Sequence, residues 1–155
     1  MQIFVPYKSP LDCAKALWND KLRYNKQCIE VKQIISAIDG SKAWRNHPVC
    51  LMYKEHKKWL EYYLKVFELY KALNNSRKDY EAQSYYYLEL DKYEKCANRI
   101  TPSFINEEMC IQHRKRLYTK SPEKYPQFEE YGTSGINWYF VDGELLKYKD
   151  GKRIN

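Results

Sequence analysis

Long apolar runs are missing from this chain. No stretch approaches the roughly 18 consecutive apolar residues that a membrane-crossing helix needs, and the opening "MQIFVPYKSP" has no apolar core of a secretory signal. A soluble protein of a reducing, intracellular (cytoplasmic) setting is expected, with no membrane partner. Paired cysteines are missing as well. The five Cys (13, 28, 50, 96 and 110) are odd in number, scattered, and never in a C-x-x-C pair, which excludes a disulfide framework and a zinc site. The three His (47, 56 and 113) lack metal-ligand spacing, so no metal is expected. There is no G-x-G-x-x-G, P-loop, H-E-x-x-H or G-x-S-x-G, which removes dinucleotide, P-loop nucleotide, zincin and α/β-hydrolase chemistry. Cys110 and His113 stand one helical turn apart without a third partner, so a thiol enzyme is not expected.

What is abundant is positive charge and aromatic rings. Among 155 residues, 27 Lys plus Arg face 20 Asp plus Glu, a formal net charge of +7, interleaved with 16 Tyr, 4 Trp and 5 Phe. Cations that neutralise phosphates and rings on which bases stack suit a nucleic-acid or nucleotide partner.

The apolar spacing predicts a mainly α protein: a compact bundle of about five helices, residues 1–132, with a small antiparallel β-meander appended over residues 133–155. Ser9-Pro10 opens a first helix to about Asn19 with Leu11, Ala14, Leu17 and Trp18 on one face. A second runs from about Leu22 to Ile38 with a core stripe of Cys28, Val31, Ile35 and Ile38. Pro48 opens a third, reaching Leu73 without interruption, and Ser76 with Asp79 forms a capping box for a fourth, to about Ala97. Asn106 caps a fifth whose first turn is acidic and last turn basic, in keeping with the helix dipole. The tail carries two Asp-Gly pairs between short β-prone runs, the signature of two-residue hairpin turns. The meander could serve a protein partner. The run Tyr85 to Tyr87 reads as packing and surface.

Three elements carry candidate chemistry. On the second helix Arg23, Lys26, Gln27 and Glu30 fall at offsets 0, 3, 4 and 7, one face bearing amine, amide and carboxylate. The same spacing also describes an ordinary solvated face with a Lys26–Glu30 pair. The cluster "AWRNHP", residues 43–48, follows directly. Arg45 can fork onto a phosphate, Asn46 and His47 can donate beside a helix start, and Trp44 fixes the loop. Third comes "IQHRKRLYTKSPEKYPQF", in which His113, Arg114 and Arg116 would wall an anion site.

In this order "MQIFVPY", "RYNKQCIE", "WRNHP" followed by "LMY", and "HRKRLYTKSPEKYPQF" resemble the pyrimidine-dimer DNA glycosylase family related to phage endonuclease V, in particular its bacterial branch. The likeness spans the N-terminal third and residues 102–128. It implies a compact helical fold, duplex DNA as partner, no cofactor, and a reaction in which an amine attacks the sugar C1′, a Schiff base forms and a carboxylate assists β-elimination. Glu30 is the carboxylate this implies. In phage endonuclease V the amine belongs to a small residue exposed by removal of the initiator Met, whereas Gln2 is large and leaves Met1 in place. The amine is then that of Met1 or of Lys26. An α-amine suits the role because such groups titrate near 8, well below a lysine. The alternative is a non-catalytic member that keeps the basic pocket to bind a nucleotide, a nucleic acid or a protein.

Overall fold

The computed structural model describes all 155 residues. Residues 1–6 are extended and buried from Gln2 onward. They lead into α1 (Pro10–Leu17), capped by Ser9, and α2 (Lys21–Ile38), capped by Asp20. α3 (Pro48–Met52) and α4 (Lys57–Asn75) follow, then α5 (Tyr80–Arg99) and α6 (Glu107–Lys120). A 3-10 turn, Pro126–Tyr131, precedes a three-stranded antiparallel sheet of β1 (Asn137–Val141), β2 (Glu144–Lys149) and β3 (Lys152–Arg153) in the order β1-β2-β3. The protein is mainly helical with a small C-terminal sheet, as its periodicities predict. No helix is long and apolar enough to cross a membrane.

The helical core forms where α1, α2 and α4 pack on one another, with Leu17, Tyr24, Val31, Trp59, Leu60, Tyr63 and Phe67 buried at their junction. α5 lies along α4 and buries only Leu90 and Ala97 of its own. β1 packs against α3 and α6 and sends Tyr139 into the main core. Both hairpin turns have positive φ at Asp and at Gly (Asp142 50°, Gly143 79°; Asp150 51°, Gly151 76°), the type I′ geometry that Asp-Gly favours.

Three expectations need correction. The third helix does not run unbroken from Pro48 to Leu73. The chain turns over residues 53–56, because α3 packs on β1 and α2 whereas α4 packs on α1, α2 and α5. No Pro or Gly marks that turn, so tertiary packing alone interrupts a helical periodicity. The core stripe of α2 is also rotated. Tyr24, Gln27, Val31, Ile34 and Ala37 are buried, while Cys28, Ile35 and Ile38 are only partly so. The reason is the N-terminal segment, whose extended backbone threads the core and must find polar partners there. Asp79, not Ser76, caps α5, its side chain accepting from the Ala82 N–H.

Candidate functional site

Six hydrogen bonds from four elements hold the first six residues. The Gln27 side chain accepts from the Phe4 N–H (2.7 Å) and donates to the Gln2 carbonyl (2.9 Å). The Tyr63 hydroxyl donates to the Phe4 carbonyl (2.9 Å), His113 Nδ1 accepts from the Val5 N–H (2.8 Å), and Arg114 Nε donates to the Pro6 carbonyl (2.7 Å). The Tyr139 hydroxyl donates to the Met1 carbonyl (3.3 Å). Buried backbone groups left without such partners would each cost about 1–3 kcal/mol, so a strand with no sheet neighbour recruits side chains instead.

This clamp delivers the N-terminus to a small cleft of about 90 Å³ lined by Met1, Gln2, Phe4, Arg23, Lys26, Glu30, Arg116, Lys120 and Asn137. One carboxylate faces four cationic side chains there. Glu30 is 7% exposed; Oε2 accepts from Gln27 Nε2 (3.3 Å), and Oε1 stands 3.9 Å from Lys26 Nζ. The Lys26 side chain is 59% exposed, so the pair adds only a few tenths of a kcal/mol and leaves the amine mobile. Arg116 is half-buried, its Nε donating to Asn137 Oδ1 (3.0 Å) and its Nη1 to the Ser134 carbonyl (3.1 Å). The Lys120 amine is pushed below the usual lysine range, first by desolvation and then by Arg116, Arg23 and Lys26, with Glu30 acting against them. Repulsion among cations at one spot is what a bound anion relieves.

The structure thus brings Met1, Arg23, Lys26, Glu30 and Arg116 to one cleft. Other candidates sit elsewhere. Gln27 is fully buried and acts as the clamp, not as a substrate contact. His113 is 2% exposed inside the core, where burial and then Arg116 lower its pKa to about 3. With Nδ1 accepting, the neutral ring carries its proton on Nε2, which can donate to the Gln2 carboxamide only when that amide turns its oxygen toward the ring. Arg114 is also buried, bonded to Glu107 Oε1 (3.1 Å) and sandwiched by Tyr7 and Tyr131. Neither forms a wall of the cleft. α6 separates the expected wall: His113 and Arg114 point in, whereas Arg116 and Lys120, one turn apart, point to the cleft.

The "AWRNHP" loop also differs from expectation. Trp44 is 52% exposed with φ +64° and plugs nothing. Arg45 and Asn46 are exposed and do not line the cleft. His47 caps α3, its Nδ1 accepting from the Val49 N–H (3.2 Å), and its ring meets Tyr139 edge-on (5.7 Å). Burial and then the Met1 ammonium lower its pKa.

Sequence reasoning missed Lys120, Asn137 and Tyr139. The first was legible as the i+4 neighbour of Arg116 on a helix; the other two depend on where the sheet docks. The largest cavity, about 460 Å³, is lined by Leu11, Tyr70, Leu73 and Leu90 among others and shares no residue with the cleft, so volume alone would misplace the chemistry. No three His, Cys, Asp or Glu side chains converge as a metal site would require.

A family model described as pyrimidine dimer DNA glycosylase matches residues 1–76, the stretch that carries the clamp partner Gln27, Glu30 and the Trp44–Pro48 loop. No curated protein and no solved structure matches the chain.

Proposed function

We propose, from a match of residues 1–76 to a family model described as pyrimidine dimer DNA glycosylase, that the cleft excises a damaged pyrimidine from duplex DNA and then cleaves the strand. The Met1 α-amine is the nucleophile in this reading. It attacks the sugar C1′ as the bond to the base breaks, and the ring-opened sugar remains attached as an imine. Glu30 then accepts the C2′ proton while the 3′ phosphate leaves by β-elimination. Arg23, Lys26, Arg116 and Lys120 hold the flanking phosphates.

The observation that carries this reading is the clamp. Six hydrogen bonds hold residues 1–6 so that Met1 lies in the same cleft as the buried carboxylate of Glu30. Lys26 is a weaker candidate because its exposed chain is not held, and Lys120 enters as a third amine because desolvation, and then its cationic neighbours, depress its pKa.

The test is borohydride trapping on ultraviolet-irradiated and unirradiated duplex, with intact mass and peptide mapping. A lesion-dependent adduct on the Met1 peptide supports the reading. An adduct on Lys26 or Lys120 moves the nucleophile, and no adduct with retained duplex binding favours the binding-only alternative. That alternative draws on one specific observation: Gln2 is large and buried, and so keeps Met1 in place where phage endonuclease V exposes a small residue.

A further inference from the structure

One side chain of β1, Asn137, lines the cleft and a second, Tyr139, reaches the Met1 carbonyl, although the family match ends at residue 76. Tyr139 is 4% exposed, and its ring is gripped edge-on by His47 (5.7 Å) and Tyr148 (5.5 Å). Burial pushes its phenol up to about 12, so the hydroxyl stays a donor at neutral pH. That hydroxyl bonds the Met1 carbonyl. Gln27 already holds the Gln2 carbonyl, so the peptide planes on both sides of the Gln2 Cα are anchored, the first by Tyr139 at the Met1 carbonyl and the second by Gln27. The Met1 Cα is then set, and the amine keeps a single torsion, the rotation about the Cα–C bond. Two residues earlier on the same strand, Asn137 accepts from Arg116 Nε while the Ser134 carbonyl accepts from its Nη1, so the guanidinium is aimed by backbone and side chain together.

We infer that the C-terminal strand is a positioning element of the reaction cleft, in which Tyr139 sets the place of the Met1 amine and Asn137 aims Arg116 at a substrate phosphate. The inference rests on the proposed glycosylase reading and deepens it. Tyr139 touches no reacting atom; it acts through Met1. A nucleophile misplaced by about 1 Å can lose two orders of magnitude in rate, so one hydroxyl can matter without affecting affinity.

Tyr139→Phe removes the hydroxyl and keeps the ring against His47. In single-turnover trapping on irradiated duplex it should lower the rate at saturation roughly tenfold or more with unchanged half-saturation. Asn137→Ala should do the reverse, weakening half-saturation several-fold with the saturated rate preserved. A second measurement needs no activity. Reductive methylation of wild type and Tyr139→Phe with ¹³C-formaldehyde labels the Met1 amine, and its methyl resonance should be displaced and broad in wild type and move toward the free-chain value in the variant. An unchanged resonance and unchanged trapping in a folded Tyr139→Phe protein would overturn the inference. If wild type forms no adduct but the resonance still moves, the glycosylase reading falls and the positioning contact stands.

Discussion

Glu30 is the residue at which the proposed chemistry meets the packing of the fold. Its carboxylate is nearly buried, yet it holds only one side-chain donor, Gln27 Nε2, and a loose ion pair with Lys26. Most of its accepting capacity is therefore free for a substrate proton. Glu30→Gln keeps an acceptor for Gln27, so urea unfolding should place the variant within about 1 kcal/mol of wild type. Strand cleavage should fall by about 10²-fold to 10⁴-fold while duplex binding persists. Preserved cleavage would remove Glu30 from the mechanism. His113 gives a second residue-level prediction, on stability. Below about pH 6.5 the unfolded chain takes up a proton on this ring, whereas the folded chain does not until about pH 3. Stability conferred by the neutral ring is thus complete above pH 6.5 and is lost as pH falls through that window, by up to about 1.4 kcal/mol per pH unit. His56 and His47, also lowered mainly by burial, add in the same direction. Thermal melts at stepped pH should show the decline, and His113→Asn, which can still accept from the Val5 N–H, should be less stable at pH 7 with a shallower slope.

At the scale of the element, α6 divides one basic run into two tasks. Arg114 bonds the Pro6 carbonyl and Glu107 and lies between Tyr7 and Tyr131; Arg116, two residues on, is held by β1 and opens to the cleft. Arg114→Ala should cost about 3 kcal/mol in chemical denaturation, since it leaves a buried carbonyl bare and two rings unsupported, with little change in the salt dependence of DNA binding. Arg116→Ala should weaken duplex binding and reduce its salt slope at near-wild-type stability. If the two variants behaved alike, the division of α6 would be wrong. The charge run itself was readable in the sequence. Which of its members face inward was not, because that depends on the extended N-terminal segment crossing this helix and demanding donors and acceptors from it.

Across the whole molecule, the +7 charge acquires a direction. Arg23 and Lys26 from α2 and Arg116 and Lys120 from α6 meet at one cleft, although some 90 residues separate the two pairs in the chain. If each neutralises one phosphate, the logarithm of duplex affinity should fall with the logarithm of salt at a slope of roughly −3.5, about −0.9 per contact. Fluorescence anisotropy over a salt series measures it, and Lys120→Gln should flatten it by about 1. An unchanged slope in that variant would take Lys120 out of the interface.

The sequence by itself determined the local matters. Periodicity, caps and turn pairs placed α1, α2, α5, α6 and both Asp-Gly hairpin turns, since these rest on interactions among neighbours in the chain. The pattern from Arg23 to Glu30 placed two cations and a carboxylate on one helical face for the same reason. Tertiary structure decided everything that required distant residues to meet: the turn between α3 and α4, the burial of Gln27, His113 and Arg114, the exposure of Trp44, the arrival of Lys120 and Asn137 at the cleft, and the contact of Tyr139 with Met1. The common cause is the N-terminal segment. An extended stretch without a strand beside it must satisfy its backbone from side chains, and those side chains came from parts of the chain that no local pattern connects.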